Sequence, residues 1–382
     1  MELTLIATAT FGLEKLVKIE VENLGYEVIK VDNGKVEFKA EERDIPILNM
    51  WLRVADRVLV KMGEFKATTF EELFQGVKKL PWHEWIGEND KFPVNGKSVK
   101  STLFSISDCQ AITKKAIVEK LKSQYKVDWF KETGAEYGIE VALLKDIATI
   151  TIDTSGVGLH KRGYRETANE APLKETLAAA MVMISRWRGD RALIDPFCGS
   201  GTIAIEAAMI GKNIAPGLER SFISENWSRI PKQAWKDART HALKSIRQDI
   251  ELDIYASDID PKTIKIAKDN AYNAGVDECI KFESHDMGKI HSDKEYGYII
   301  SNPPYGERLG EKAEVQRLYK RMGKSFSKFK TWSKYIITSD EELEKLYGKK
   351  ADKKRKLFNG RIKVDYYQFF GPKPPKEYFN NK

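Results

Sequence analysis

The chain has 382 residues, enough for two or three domains with separate cores. Charged residues make up 31% and hydrophobic ones 42%, and the apolar runs are strand-sized, which excludes a bilayer-spanning segment; MELTLIATATFGLEKLVKIEVE lacks the pattern of a secretion signal, so a cytoplasmic protein is expected. Cys109, Cys198 and Cys279 and the five histidines are scattered, giving neither a disulfide framework nor a metal-ligand spacing, and no metal is expected.

The formal charge of +8 is concentrated at one end. Residues 349–382 hold eleven Lys/Arg against three Asp/Glu, and everything before them balances. Such a stretch is either a solvated basic tail or an attractor for phosphate, the sequence-independent part of nucleic-acid binding.

In chain order, Leu3–Thr10 reads as a strand, and Gly12–Leu24 places Leu13, Leu16, Val17, Val21 and Leu24 on one helical face. Tyr26–Val31, a turn at Asp32–Asn33–Gly34 and Lys35–Lys39 form a hairpin; Ile45–Trp51 is helical and Arg57–Phe65 returns to strand. That order predicts a ferredoxin-like sandwich over residues 1–65. A second α+β unit over residues 66–154 has a helix at Phe70–Leu80, a strand at Ser98–Ser105, a helix from Ser107 to about Tyr125, and strands Ile139–Leu144 and Ile147–Asp153 around the turn Lys145–Asp146. Trp82, Trp85 and Trp129 are expected in the core.

From Asp153 the texture changes, and residues 155–171 read as an interdomain linker rich in glycine and basic residues. It is either a solvated loop or an RNA contact made by His160, Lys161, Arg162, Tyr164 and Arg165, a basic-aromatic mixture suited to that partner. Residues 172–382 then alternate helix and strand, predicting a parallel, doubly wound sheet. A hairpin over Lys356–Phe369 with its turn at Asn359–Gly360 adds an antiparallel strand at the end.

Two stretches carry chemistry. In Asp195-Pro-Phe-Cys-Gly-Ser-Gly-Thr202, between a predicted strand and a helix, Gly199 and Gly201 let the backbone turn and approach a ligand, and Asp195 offers an acceptor for a cationic group. The lysine and full glycine fingerprint that a nucleotide phosphate or a dinucleotide needs are missing. Asp258, at the tip of the next strand, is placed for the hydroxyls of a ribose, with Ile259 beside it, whereas Asp260 before Pro261 reads as a helix cap. Asp286 is either an acceptor for an adenine amine, with Met287 against the ring, or a turn aspartate. Asn302-Pro303-Pro304-Tyr305 ends the fourth strand of this region. Its prolines cannot donate and leave carbonyl acceptors, so the Asn302 side-chain oxygen and the Pro303 carbonyl suit the two protons of a planar NH₂, with Tyr305 stacked on the base.

With these motifs, the region from about Leu173 resembles class I S-adenosylmethionine-dependent methyltransferases, with DPFCGSGT as cofactor loop and NPPY as amino-methylating motif. With LHKRGYR at Leu159–Arg165 and APLKETLAAAM at Ala171–Met181, the whole chain resembles the THUMP-domain RNA guanine-N2 methyltransferases, in particular the methyltransferase part of the bacterial large-subunit rRNA methyltransferase L and its stand-alone relatives. The resemblance implies a Rossmann-like methyltransferase sheet preceded by ferredoxin-like and THUMP RNA-binding domains. It implies S-adenosylmethionine as cofactor, held by Asp195, Pro196, Phe197, Gly199, Gly201, Thr202, Asp258, Ile259, Asp286, Met287 and Asn302. It further implies methyl transfer to a guanine N2 of ribosomal RNA at Asn302, Pro303, Pro304 and Tyr305. Transfer to tRNA guanine N2 or to DNA adenine N6 uses the same motif and stays open. A non-catalytic RNA-binding protein on a methyltransferase scaffold is the alternative of another class, and the intact motifs argue against it.

Overall fold

The computed structural model describes residues 2–165, 173–305 and 312–379. The chain forms two compact units: Met1–Ala9, Val17–Leu159 and Arg220–His241 make the first, and Thr10–Leu16, His160–Glu219 and Ala242–Lys382 the second. Among the described residues, no helix is long and apolar enough to cross a membrane.

The N-terminal part of the chain runs β1 (Glu2–Thr8), α1 (Glu14–Asn23), β2 (Val28–Asp32), β3 (Lys35–Glu41), α2 (Ile45–Trp51) and β4 (Arg57–Lys66). The strands lie antiparallel in the order β2-β3-β1-β4, as a ferredoxin-like sandwich requires. Then follow α3 (Phe70–Lys78), β5 (Val94–Val99), α4 (Ile106–Tyr125), β6 (Gly138–Leu144) and β7 (Ile147–Asp153). These strands extend the same sheet beyond β4 as β7-β6-β5, seven strands among the described residues.

Local chemistry explains several boundaries. Thr69 caps α3: its side chain accepts from the Glu72 amide at 3.2 Å, and the Glu72 carboxylate accepts from the Thr69 amide at 3.2 Å. The β6–β7 turn holds Lys145 and Asp146 at φ +51° and +63°, the left-handed pair a two-residue hairpin favours. The strand expected at 98–105 forms instead at Val94–Val99. Its register is set by parallel pairing with β6, from Val94 opposite Ile139 to Val99 opposite Leu144. Trp82 and Trp85 are buried, but Trp129 is 82% exposed.

Residues 220–241, read from sequence with the C-terminal domain, pack in the first unit. Trp227 stacks on Tyr137 with centroids 4.4 Å apart, and its indole N–H donates to the Glu136 carbonyl at 2.9 Å. Arg229 reaches Glu42 at 2.6 Å.

The later part of the chain gives α5 (Glu175–Ser185), β8 (Leu193–Asp195), α6 (Thr202–Gly211), α7 (Lys232–Lys244), β9 (Ile254–Asp258), α8 (Pro261–Asn273), β10 (Ile280–Ser284), β11 (Tyr298–Ser301), α9 (Lys312–Phe326), β12 (Ser333–Thr338), α10 (Leu343–Tyr347), β13 (Lys353–Asn359) and β14 (Ile362–Phe369). Its strands form a second sheet in the order β10-β9-β8-β11-β12-β14-β13. The first five of that order run parallel and β14 runs antiparallel to β12. This is the Rossmann-like sheet of class I methyltransferases with its reversed C-terminal strand. Alternation along the strands sorts the core. Tyr335 and Tyr366 turn to α5, bonding the Ser185 and Met181 carbonyls, whereas Ile336 and Tyr367 join Ile194, Ile299, Tyr319, Met322 and Phe326 in one buried cluster. Each large apolar side chain buried there contributes about 1.5–3 kcal/mol. The strand order reverses between β8 and β11, and such a switch point opens a crevice at the carboxyl edge.

Candidate functional site

The motifs meet at that edge. Ile194 pairs with Ile299, so Asp195 is level with Ile300, and Asn302 follows just beyond on the adjacent strand. On the other side Asp195 pairs with Ala256, which puts Asp258 just beyond it.

The loop after β8 is tied down on one side and open on the other. The Cys198 amide donates to the Ser257 carbonyl at 2.9 Å and the Gly201 amide to the Cys198 carbonyl at 2.8 Å. Gly199 (φ +52°) and Gly201 (φ +86°) hold left-handed conformations. A Cβ at Gly199 would meet nothing within 4 Å, whereas one at Gly201 would lie 3.1 Å from the Ala267 Cβ on α8. One glycine therefore leaves room for a ligand; the other lets α6 start close against α8. Pro196 and Thr202 are buried, and Phe197 is half-buried against the core cluster.

Asp195 is fully buried. One carboxyl oxygen accepts from the Phe197 amide at 3.2 Å, and the other is buried with no hydrogen-bond partner. Burial pushes its pKa up to about 8, opposed by the Phe197 amide and helped by the charge of Asp258. An unpaired buried acceptor is costly on its own, and a cationic group would relieve it. Burial also raises the Cys198 thiol well above its ordinary value, so this cysteine packs as a neutral side chain.

Asp258 ties the loop after β8 to the start of α8, accepting from the Gly199 amide at 3.1 Å and the Asp260 amide at 3.0 Å. Ile259 stands 71% exposed beside it. Asp260 caps α8, accepting from the Lys262 amide at 2.9 Å. Asp286 forms a turn with one of its oxygens: its Oδ1 accepts from the Gly288 amide at 2.8 Å and from the Arg321 guanidinium. Burial would raise its pKa, but that amide and Arg321 outweigh it and hold it below the ordinary range. Met287 is buried in the core cluster.

At the end of β11, the Tyr305 hydroxyl donates to the Asn302 side-chain oxygen at 2.6 Å. That oxygen keeps a second lone pair. Tyr319, on α9, donates to the Pro304 carbonyl at 2.9 Å and contacts the Thr338 hydroxyl at 2.7 Å. Thr338 in turn accepts from the Asp340 amide at 3.1 Å, and Tyr367 donates to the Asp340 carbonyl at 3.2 Å. Nothing in the NPPY tetrapeptide announces this support, since its donors come from α9, β12 and β14. Residues 306–311, which follow this tetrapeptide, lie outside the described residues.

The basic segment before α5 departs from expectation. Arg162 and Tyr164 are each 3% exposed, and both meet Glu206 of α6, at 3.3 and 3.2 Å. Burial disfavours the Arg162 charge, but Glu206 outweighs it and raises the guanidinium pKa. Arg165 donates to the Thr202 hydroxyl at 2.6 Å and the Leu173 carbonyl at 3.2 Å, and pairs with Glu175 at 3.3 Å. Arg162 and Tyr164 are turned into their own domain because an otherwise apolar helix, TIAIEAAMIG, buries a carboxylate that needs partners, and Arg165 is turned inward by Glu175 and Thr202. That lone Glu206 was the available signal. His160 is half-buried and Lys161 is exposed. The remainder of the expected linker, residues 166–171, lies outside the described residues, as does residue 172.

Comparison with known proteins gives consistent matches. Residues 4–59 match the RlmL ferredoxin-like domain, 67–153 the THUMP domain and 162–368 the RMKL-like methyltransferase domain. The chain is similar to "Putative RNA methyltransferase YpsC" of Bacillus subtilis, 55% identical over 375 residues covering 98% of this chain and 97% of that protein. It is 36% identical to the ribosomal RNA large subunit methyltransferase K/L of Psychromonas ingrahamii, over 95% of this chain and 50% of that protein, so it spans half the length of that relative. Among solved structures, that of SMU.472, described as "a putative methyltransferase complexed with SAH", superposes with TM-score 0.93 at 46% identity, covering 98% of this chain and 99% of that one.

Proposed function

The chain belongs to the RMKL-like methyltransferase family, and we propose that it transfers the methyl group of S-adenosylmethionine to the exocyclic N2 of a guanine in large-subunit ribosomal RNA. One juxtaposition carries this reading: the buried, unpartnered carboxyl oxygen of Asp195 ends β8 beside the strand that ends in the Asn302 amide oxygen. The first suits the cationic end of an amino-acid-bearing donor, and the second an amine to be methylated.

The residues fit such a donor. Asp195 would accept from its ammonium, the open side of Gly199 would admit it, and Asp258 would take the ribose hydroxyls on its remaining lone pairs. Phe197 and Ile259 would flank it with apolar surface, the second oxygen of Asp286 would face the adenine amine, and Pro196, Gly201, Thr202 and Met287 would shape the loops. When bound, S-adenosylmethionine supplies a methyl group already activated on a sulfonium. The Asn302 oxygen and the Pro303 carbonyl would accept hydrogen bonds from the two amine N–H groups and direct the nitrogen lone pair, with Pro304 stiffening the loop and Tyr305 stacked on the base. One of those protons would pass to solvent as the N–C bond forms and the S–C bond breaks. Holding the reactants in line supplies most of the acceleration. A base in a duplex must first leave its stack.

His160 and Lys161 would contact the RNA backbone, while Arg162, Tyr164 and Arg165 act from inside the domain by positioning α6. The choice of RNA draws on the THUMP match, and the large-subunit assignment on the K/L relative.

The test is incubation of the protein with labelled S-adenosylmethionine and size-fractionated nucleic acid from cells lacking it, followed by nucleoside mass spectrometry. N2-methylguanosine in large-subunit rRNA is the expected product. The same nucleoside in tRNA would replace the substrate, and N6-methyladenine in DNA would refute both the base and the polymer.

A further inference from the structure

Resting on the reading that RNA is the substrate, we propose that the tip of the β13–β14 hairpin is a second RNA-contact surface, holding the backbone beside the target nucleotide. The register places it. Thr338, the last residue of β12, pairs with Asp365, which pairs with Lys356. The hairpin continues through Leu357–Val364, Phe358–Lys363 and Asn359–Ile362. Those further pairs carry it about 10 Å past the end of β12. Since β14 opposes β12 and β13 opposes β14, the overhang rises from the carboxyl edge that holds Asp195, Asp258 and Asn302. At about 4.8 Å per strand, β13 stands about 14 Å from β11. A stacked strand, at about 3.4 Å per nucleotide, covers that distance in about four nucleotides.

The chemistry of the tip matches a nucleic-acid strand. Lys353–Lys363 contains six Lys/Arg and no Asp/Glu. Lys354 is partly offset by Asp365 at 3.6 Å and Lys363 by Glu341 at 3.7 Å, whereas Lys356 and Arg361 are exposed and make no ion pair among the described residues. Lysines on an edge strand also discourage strand addition, which accounts for Lys353, Lys354 and Lys356. It does not account for Arg361 in the turn, or for the aromatic pair at the tip. Phe11, 51% exposed, meets the Phe358 ring edge-on, with centroids 5.9 Å apart and planes at 77°. Gly12 (φ +91°) makes this approach possible, since a Cβ there would lie 2.8 Å from the Lys356 carbonyl oxygen. A half-exposed ring among cations offers a stacking face beside phosphate-binding charge, the combination that single-stranded RNA requires.

The experiment compares full-length wild type with the triple variant Lys356→Ala, Arg361→Ala, Lys363→Ala for binding to a large-subunit rRNA transcript over a salt series. The slope of log affinity against log salt should become shallower by about two, and affinity should fall about tenfold or more at low salt. Cofactor affinity and melting temperature should not move. Phe11→Ala keeps every charge and should weaken binding about tenfold without changing the slope. Wild-type binding with the triple variant unchanged in affinity and slope overturns the proposal alone. A wild type without RNA affinity overturns the RNA reading and the proposal with it.

Discussion

Tyr319 donates its hydroxyl proton to the Pro304 carbonyl at 2.9 Å, and the Thr338 hydroxyl lies 2.7 Å from the Tyr319 hydroxyl oxygen. Both residues are fully buried, so the loop that would clamp the amine is held from the protein interior. Tyr319→Phe removes the donor, and because Pro304 is itself exposed the loss is that of an ordinary hydrogen bond, about 0.5–1.5 kcal/mol. Single-turnover transfer should slow by up to about tenfold while cofactor affinity stays within about twofold. Thr338→Ser should retain the rate. A parallel loss of cofactor binding in Tyr319→Phe would reduce Tyr319 to a fold-stabilising residue.

Asp195 gives cofactor binding a pH dependence. With its pKa at about 8 in the free protein, the carboxyl must shed a proton before it can pair with an ammonium. Affinity should therefore rise between pH 6 and 8, by up to about tenfold per unit, then level. Folding stability runs the other way. The native carboxyl keeps its proton to higher pH than the unfolded chain, whose value is about 3.9; this contribution is full below about pH 4 and is lost as pH rises through about 8. Asp195→Asn should flatten both profiles in calorimetric titrations and thermal melts. A wild-type affinity constant over this range would contradict the role given to Asp195.

The pairing of Arg162 with Glu206 is structural in its first effect. Glu206→Ala leaves the buried guanidinium uncompensated and should cost about 3–5 kcal/mol in urea unfolding, whereas Arg162→Met with Glu206→Leu should recover much of it. A loss below about 1 kcal/mol would show that the network does not hold the segment.

These cases mark what the sequence made legible. The DPFCGSGT and NPPY stretches could be read because their chemistry is local: strand, special backbone and acceptor all fall within a few residues. The order of strands and helices could be read because alternation and turn residues state it. The role of Tyr319 could not, because its partner lies in another element brought close only by folding. The same limit misplaced Arg162 and Tyr164: a basic-aromatic run looks like an RNA contact until Glu206, on a helix forty residues away, is seen to claim it. For β5, weak alternation in Val94–Val99 left the strand undefined until β6 supplied its partner. At the last hairpin, Asn359 pairs with Ile362, so the loop is Gly360–Arg361, with Gly360 at φ +62°. The Asn-Gly signal found the hairpin and missed its register by one residue.

The most direct test of the catalytic assignment is methyl transfer by Asn302→Ala, measured as N2-methylguanosine formed in large-subunit rRNA, with cofactor affinity determined on the same sample. Removing an oriented acceptor at the reacting nitrogen should reduce transfer by about 10²-fold or more while the cofactor still binds. Transfer at the wild-type rate would contradict the role of Asn302 as the clamp for the amine.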